Sequence, residues 1–369
     1  MTPSAPPTVV IGAGYAGVMA ANRLAGRDSP VVLVAPGTRF VERIRLHRFA
    51  SGDRPAADVA LASVLHPAVG RVEDRVTRID APRRRLTLAS GAEIGFGSAV
   101  YAVGSGAAAR RPGRHRVDTL EHALALRAAL HRDPDAPVTV LGSGLTGVEL
   151  AAVLAGRRPV ALVSADGLAS GRAPAAHRRA LERRGVRVLP RSGFDPERPP
   201  AGIVVDCTGF GVPTLARDSG LPVDDRGRLL VDRTLAVRGV PGLVGAGDAV
   251  VVPALTHLRP SCAAALPMGA HAADALAAQR DGRDAPALDL GHLLQCVDLG
   301  RGRGRVQLLH PDDRERPFAL TGPAGAGVKE AVCRMTVRWL QQEAQRPGRY
   351  SWPAGPRGTD AGPATPAAA

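Results

Sequence analysis

Aromatic residues are scarce in this chain of 369 residues: Phe, Trp and Tyr together make up 3%. Cores must therefore be built mainly from Ala, Val and Leu. The stacking platforms of a single-strand nucleic-acid binder are missing. Lysine occurs once, as Lys329, against 48 Lys and Arg together. With the Ala, Gly and Pro excess, this reads as a coding bias rather than as chemistry. Cysteine is limited to Cys207, Cys262, Cys296 and Cys333. No two lie in a CxxC spacing, which argues against a zinc site or a local redox disulfide, and no metal is expected. No apolar run is long enough to span a bilayer. Nor is there a charged leader, since Val9-Val10-Ile11 runs straight into glycines. These absences point to a cytoplasmic protein, with peripheral contact at a membrane surface as the alternative.

What is present is a globular composition, 45% hydrophobic, with a formal net charge of +14. Such a balance attracts anions, including phosphorylated cofactors. The arginines are scattered, with short clusters at Arg83–Arg85, Arg178–Arg179 and Arg301–Arg305. Without interleaved aromatics they predict no nucleic-acid partner.

Along the chain, Thr8–Ile11 reads as a buried strand, Val18–Leu24 as a helix after a glycine turn, and Val31–Val34 as the next strand. Together they make one βαβ unit. Arg71–Ile79, Arg85–Leu88 and Ala99–Val103 read as further strands, and Leu120–Leu130 as a helix. The pattern then restarts: strand Val138–Leu141, turn Gly142–Gly147, helix Val148–Leu154, strand Val160–Val163. Later come strands Ile203–Cys207 and Gly242–Gly245 and an Ala-rich helix over 263–279. Strands Leu293–Val297 and Val306–Leu309 suggest a small C-terminal sheet, with a last helix over Val328–Leu340.

Three motifs carry chemistry. In Gly12-Ala13-Gly14-Tyr15-Ala16-Gly17 the first glycine permits a tight turn, the second lets a pyrophosphate approach the backbone, and the third lets helix pack on strand. The phosphates then sit on the helix N-terminus. Gly142-Ser143-Gly144-Leu145-Thr146-Gly147-Val148-Glu149 repeats this pattern, with a carboxylate expected on the first helical turn. Two such fingerprints in one chain imply two dinucleotides and an electron relay. Gly245-Ala246-Gly247-Asp248-Ala249 is a strand end and glycine turn closed by an acid.

The order of these motifs, with Val-Tyr-Ala-Val-Gly-Ser at 100–105 and Asp-Cys-Thr-Gly-Phe at 206–210, resembles the pyridine-nucleotide-dependent flavoprotein family. The nearest branch is that of type II NADH dehydrogenases and apoptosis-inducing-factor-like reductases, over about residues 8–285. The resemblance implies an α/β fold with two Rossmann-like dinucleotide-binding domains. An FAD-binding domain (1–111 and 229–285) is split around an NAD(P)H-binding domain (112–228), followed by a small C-terminal domain (286–353) and a disordered tail (354–369). It implies that Gly12, Gly14 and Gly17 hold the ADP half of FAD, that Asp248 with Gly247 contacts its ribitol and pyrophosphate, and that the Val76 backbone meets the adenine. Gly142, Gly144 and Gly147 hold NADH or NADPH, with Glu149 near the nicotinamide. Gly104 and Gly209 belong to the matching loops. Arg45 and His47, in Glu42–His47, are candidates to contact the flavin ring or the substrate; a solvated or structural helix face is the other reading.

The chain departs from the family at three places. The acid that usually holds the FAD ribose is replaced by Ala35, with Arg39 or Thr38 as substitutes. The corresponding position in the second unit is Ser164, which leaves NADPH open, with Arg172 as a candidate partner for its 2′-phosphate. Related quinone reductases carry glutamines on the segment that here reads Ser261-Cys262-Ala263-Ala264-Ala265-Leu266-Pro267-Met268. Cys262, at that helix start, is either a thiol acidified by the helix or a packing residue. The stripe Val328, Ala331, Val332, Met335, Trp339 and Leu340 on the last helix is either core or a membrane-facing strip. The expected activity is hydride transfer from NAD(P)H to FAD and on to a small-molecule acceptor, quinone-like or a specialised metabolite. A flavin oxidase or monooxygenase and a non-catalytic redox sensor are the alternatives. A homodimer is compatible with the family.

Overall fold

The computed structural model describes residues 6–27, 30–106, 111–165, 174–195, 198 and 200–357. Arg172 and residues 358–369 lie outside them.

The first unit contains β1 (Thr8–Ile11), α1 (Tyr15–Leu24), β2 (Val31–Ala35), β3 (Gly70–Glu73) and β4 (Ser98–Tyr101). The second contains α2 (Leu120–Arg132), β5 (Val138–Leu141), α3 (Leu145–Leu154), β6 (Val160–Ser164), α4 (Pro174–Glu182), β7 (Arg187–Pro190) and β8 (Ile203–Asp206). The chain then returns to the first unit through β9 (Leu243–Gly245) and α5 (Cys262–Arg280). It ends with β10 (Leu294–Asp298), β11 (Gly304–Leu309), β12 (Glu315–Thr321) and α6 (Gly322–Gln345).

The first sheet has the strand order β9-β4-β1-β2-β3, and the second β7-β6-β5-β8. Both are parallel throughout. Every residue of β1 and of β5 is buried, as expected of strands covered on both faces. Each sheet has its own apolar core: Val9, Val10, Leu33 and Val100 in the first, Val140, Leu150, Leu154 and Leu162 in the second. The first sheet takes strands from both sides of the second unit, so one nucleotide-binding fold is split around the other.

The duplication holds at the level of single hydrogen bonds. The Gly12 N–H donates to Val34 O at 2.8 Å, and the Gly142 N–H to Val163 O at 2.8 Å. Gly14 O and Gly144 O each accept from the residue four positions on, at 3.0 Å.

Several elements differ from the sequence reading. The run Arg71–Ile79 is two strands, because the Asp74 side chain folds back to accept the Arg75 N–H at 2.6 Å and breaks the extended chain. Beyond the break, Val76–Asp80 leaves the parallel sheet and pairs antiparallel with Arg85–Leu88. The solvated edge strand β12 and the short β7 carry too few buried residues to have stood out. The last helix is longer than expected, and its enclosed face is Cys333, Thr336, Leu340 and Glu343. That face is offset from the apolar stripe, of which Ala331 is exposed and Val328, Val332 and Met335 are half-buried. The expected disorder from Ala354 begins too early: the Trp352 indole donates to Asp289 O at 2.8 Å, and the Gly355 N–H to Asp289 Oδ1 at 2.6 Å. No described helix is long and apolar enough to cross a membrane.

One buried charge cluster ties α1, α5 and α6 together. The Arg23 guanidinium donates to Asp274 at 2.9 Å and to Glu343 at 3.2 Å, and Glu343 is 0% exposed. Removing Arg23 leaves the fully enclosed Glu343 carboxylate without its counter-ion. Arg23→Ala is expected to lower stability by about 3–5 kcal/mol, read from denaturant unfolding. A loss below about 1 kcal/mol, the range of exposed pairs, would contradict this role.

Candidate active site

Both glycine motifs lie at the carboxyl ends of central strands, and each glycine has a distinct physical reason to be there. Gly12 (φ +109°) and Gly142 (φ +97°) adopt backbone angles that side chains avoid. A Cβ on Gly17 would stand 1.9 Å from Gly12 O, and one on Gly147 would stand 2.0 Å from Gly142 O. These two glycines allow helix to pack on strand. Gly14 and Gly144 differ: a Cβ on either would meet nothing within 4 Å. Their backbone angles suit other residues (φ −82° and −61°), and they cap helices that have neither a side-chain cap nor an acid in the first turn. Open space in front of unsatisfied helix N–H groups is what a pyrophosphate requires. Both cradles therefore fit a dinucleotide.

Beside the first cradle, the loops after β4 and β9 converge. Ala246 N–H donates to Tyr101 O at 2.9 Å, and Gly247 (φ +89°) turns the chain so that Asp248 faces Ser105, whose Oγ donates to Asp248 Oδ2 at 3.0 Å. Arg43 braces this loop through Ser105 O and Asp118 O, both at 2.6 Å. Gly104, with φ +65°, lies in the same loop. Val76 follows the end of β3 by three residues, on the edge where Gly12 lies. Gly209 (φ +67°) is exposed in the loop after β8, beside the second cradle, and its carbonyl accepts from Arg116 at 3.2 Å. Arg39 pairs with Asp58 at 2.6 Å, so both are engaged with each other.

Three further residues singled out from the sequence sit differently from expectation. Helix α3 begins at Leu145, so Glu149 lies on its second turn, not its first. There it is buried, accepting the Asp298 N–H at 2.8 Å and the ammonium of Lys329, with His47 Nδ1 3.7 Å away. His47 is buried as well, its Nε2 3.2 Å from Asp298 Oδ2, an oxygen that also accepts from Arg48. Arg45 is not directed at open space. It is 3% exposed and bonded to Glu42 at 2.7 Å and Glu330 at 2.8 Å. Of the other reading of Glu42–His47, a solvated or structural helix face, these contacts fit the structural half.

The result is an ionic cluster joining the first unit, α3 and the C-terminal sheet. It borders a cavity of about 200 Å³ lined in part by Arg45, His47, Asp298, Lys329 and Cys333. Burial alone would raise the Asp298 carboxyl, but hydrogen bonds from His47 and Arg48 hold it well below the usual carboxylate range. Burial would likewise lower the Lys329 ammonium, and the Glu149 charge holds it above its ordinary value. Asp298, Glu330 and Lys329 were missed in the sequence. The available signal was Lys329 itself, the one lysine in a chain that uses arginine elsewhere.

The thiols are not acidified. Cys262 is half-buried at the start of α5, and desolvation pushes it up to about 12. Cys207 rises to about 12 and Cys296 to about 11 for the same reason. Cys333 lies near enough to raise both Cys262 and Cys296, so three cysteines distant in sequence share one region, all of them free. At neutral pH they are protonated, and the packing reading of Cys262 fits better than the reactive one.

The family model for pyridine nucleotide-disulphide oxidoreductases matches residues 6–273. The chain belongs to that family. An NADH dehydrogenase-like protein of Mycobacterium tuberculosis (strain CDC 1551 / Oshkosh) is 30% identical, over 88% of this chain and 92% of the relative. Among solved structures, the NDH2 of Plasmodium falciparum in complex with NADH matches with TM-score 0.75 at 12% identity, covering 94% of this chain and 99% of that one. The sulfide:quinone oxidoreductase of Aquifex aeolicus matches with TM-score 0.74 at 17% identity, covering 92% of each. As a member of the pyridine nucleotide-disulphide oxidoreductases, the protein is an oxidoreductase similar to type II NADH dehydrogenases, with FAD and a pyridine nucleotide as its cofactors.

Proposed function

We propose that the Gly12–Gly17 cradle holds the ADP half of FAD, that the Gly142–Gly147 cradle holds NADH or NADPH, and that electrons leave to a small-molecule acceptor of the quinone class. FAD held there would supply two-electron redox chemistry, with the reduced nicotinamide as hydride donor and the quinone-class molecule as acceptor. The observation that carries this reading is the same backbone cradle built twice, with open space at Gly14 and Gly144 alone among the six motif glycines.

In this reading Asp248, oriented by Ser105, receives the ribitol hydroxyls and stands beside the FAD pyrophosphate. Gly104 and the Val76 backbone border the same cofactor, and Gly209 borders the nicotinamide nucleotide. The helix α3 N–H groups receive the second pyrophosphate. Glu149 and His47 act from behind that helix turn: Lys329 and the Asp298 amide hold Glu149 in place, and the Asp298 carboxylate orients the His47 ring. No carboxylate stands at Ser164, whose Oγ lies 2.8 Å from Ser143 Oγ. A 2′-phosphate is therefore not repelled at that strand end, and NADPH is accepted as well as NADH.

The test is turnover with NADH and NADPH against quinone, dye and oxygen as acceptors, for the wild type and for Cys262→Ser. Quinone and dye reduction is expected, and Cys262→Ser should keep most of the activity, because a protonated thiol is a poor relay. A fall of about a hundredfold with normal flavin reduction, about 2.7 kcal/mol, would place Cys262 in the chemistry. Stoichiometric peroxide without quinone reduction would favour the oxidase alternative.

A further inference from the structure

The second nucleotide unit and the C-terminal sheet flank an open cavity of about 620 Å³. Its charged lining is arginine only: Arg179, Arg183 and Arg184 from α4 and the residues after it, and Arg301, Arg303 and Arg305 from the β10–β11 hairpin and β11. Two of these have a structural task at the carboxyl end of α3. Arg184 donates to Ala152 O at 3.1 Å and Arg301 to Gly156 O at 3.0 Å, as cations at a helix C-terminus do.

The other four are not explained by the fold. Arg305 reaches Gln307 at 2.6 Å, but its Nε is buried with no hydrogen-bond partner. Among the described residues, none of the six arginines pairs with a carboxylate. Burial, then the charges of Arg301 and Arg303, pull the Arg184 guanidinium below its ordinary value, so the cluster repels itself. The cavity wall also includes Thr321 and Gly322, the start of the 24-residue helix α6, which has no acid in its first turn and no side-chain cap. An uncapped helix N-terminus adds positive potential where the guanidinium forks gather.

This cavity is not the pyrophosphate cradle. Ala155, in its wall, caps the carboxyl end of α3, while Gly144 caps the amino end. A ten-residue helix separates the two by about 15 Å.

We propose that this cavity is a second anion site, which binds a phosphoryl-rich ligand of two or more phosphate groups across the junction of the second nucleotide unit and the C-terminal sheet. Planar guanidiniums recognise phosphate in bidentate fashion, and the open, concave shape admits a small polyanion. The ligand's phosphates replace the missing carboxylates. Such a ligand would be a soluble polyphosphate or a phosphorylated headgroup; both present the same chemistry.

The test is calorimetric titration of the FAD-loaded protein with inorganic tripolyphosphate at physiological ionic strength. Saturable binding is expected, and it should persist in Gly144→Val, which blocks the other cradle. The double variant Arg179→Ala/Arg303→Ala changes two exposed side chains, so its melting temperature without ligand should be unchanged. Its affinity for tripolyphosphate should fall by about tenfold or more, given the usual strength of charge-assisted hydrogen bonds. Sedimentation with phosphatidylcholine vesicles, with and without cardiolipin, whose headgroup carries two phosphates, separates the sources: arginine-dependent binding to the anionic vesicles alone assigns the headgroup. Loss of tripolyphosphate binding in Gly144→Val, or binding to neither probe that depends on these arginines, would overturn the proposal.

Discussion

Gly144→Val is expected to leave the protein yellow while slowing reduction of its flavin by NADH or NADPH at least tenfold, about 1.4 kcal/mol. The backbone at Gly144 has φ −61°, and a Cβ there meets nothing within 4 Å. A larger side chain is therefore neither strained nor in collision with the protein. It occupies the volume in front of the α3 N–H groups, where the second pyrophosphate would lie. Gly147→Ala is the matched control for the packing glycine of the same motif. Its Cβ would stand 2.0 Å from Gly142 O, so helix and strand must separate and stability should fall. Loss of FAD in Gly144→Val with unchanged reduction kinetics would exchange the two cofactor sites.

Asp248→Ala should purify largely colourless. The carboxylate stands at the carboxyl edge of the first sheet, held by the Ser105 hydroxyl at 3.0 Å on a loop that Arg43 braces. In the proposed pose it supplies charge-assisted hydrogen bonds to FAD, each of which contributes about 1.5–3 kcal/mol. Losing one or two corresponds to FAD binding weaker by a factor of between about 10 and about 20,000. Flavin content is read from the visible spectrum after purification, and the folded state from circular dichroism. A folded variant with full flavin content would remove Asp248 from the cofactor site.

The parts of the fold that were legible in the sequence are those set by local rules. The strands Thr8–Ile11 and Val138–Leu141 are short apolar runs bounded by obligatory glycines, and the structure keeps their limits. The two cradles follow, because the first and third glycines of each motif answer to backbone constraints within about five residues. The strand boundary at Asp74 was hidden, since a side-chain hydrogen bond, not hydropathy, ends β3 there. The ionic cluster was hidden for a different reason. Glu149 and Lys329 are 180 positions apart, and His47 and Asp298 are 251 apart. No periodicity or spacing reports such pairs, so Glu149 was legible as a motif residue while its partners were not. The same distance concealed the neighbourhood of Cys262, Cys296 and Cys333. It also concealed the true packed face of α6, where the buried carboxylate of Glu343 outweighs hydropathy by meeting Arg23.

The central claim is that two dinucleotides meet in this chain, one at each cradle, with electrons passing from nicotinamide to flavin. The most direct test is anaerobic mixing of the purified flavoprotein with NADH and, separately, with NADPH, following the flavin absorbance in time. The account predicts complete bleaching with each donor in the wild type, with a rate that saturates as donor is added, and at least tenfold slower bleaching in Gly144→Val. Flavin that stays oxidised with both donors, or that bleaches at the same rate in Gly144→Val, would contradict it.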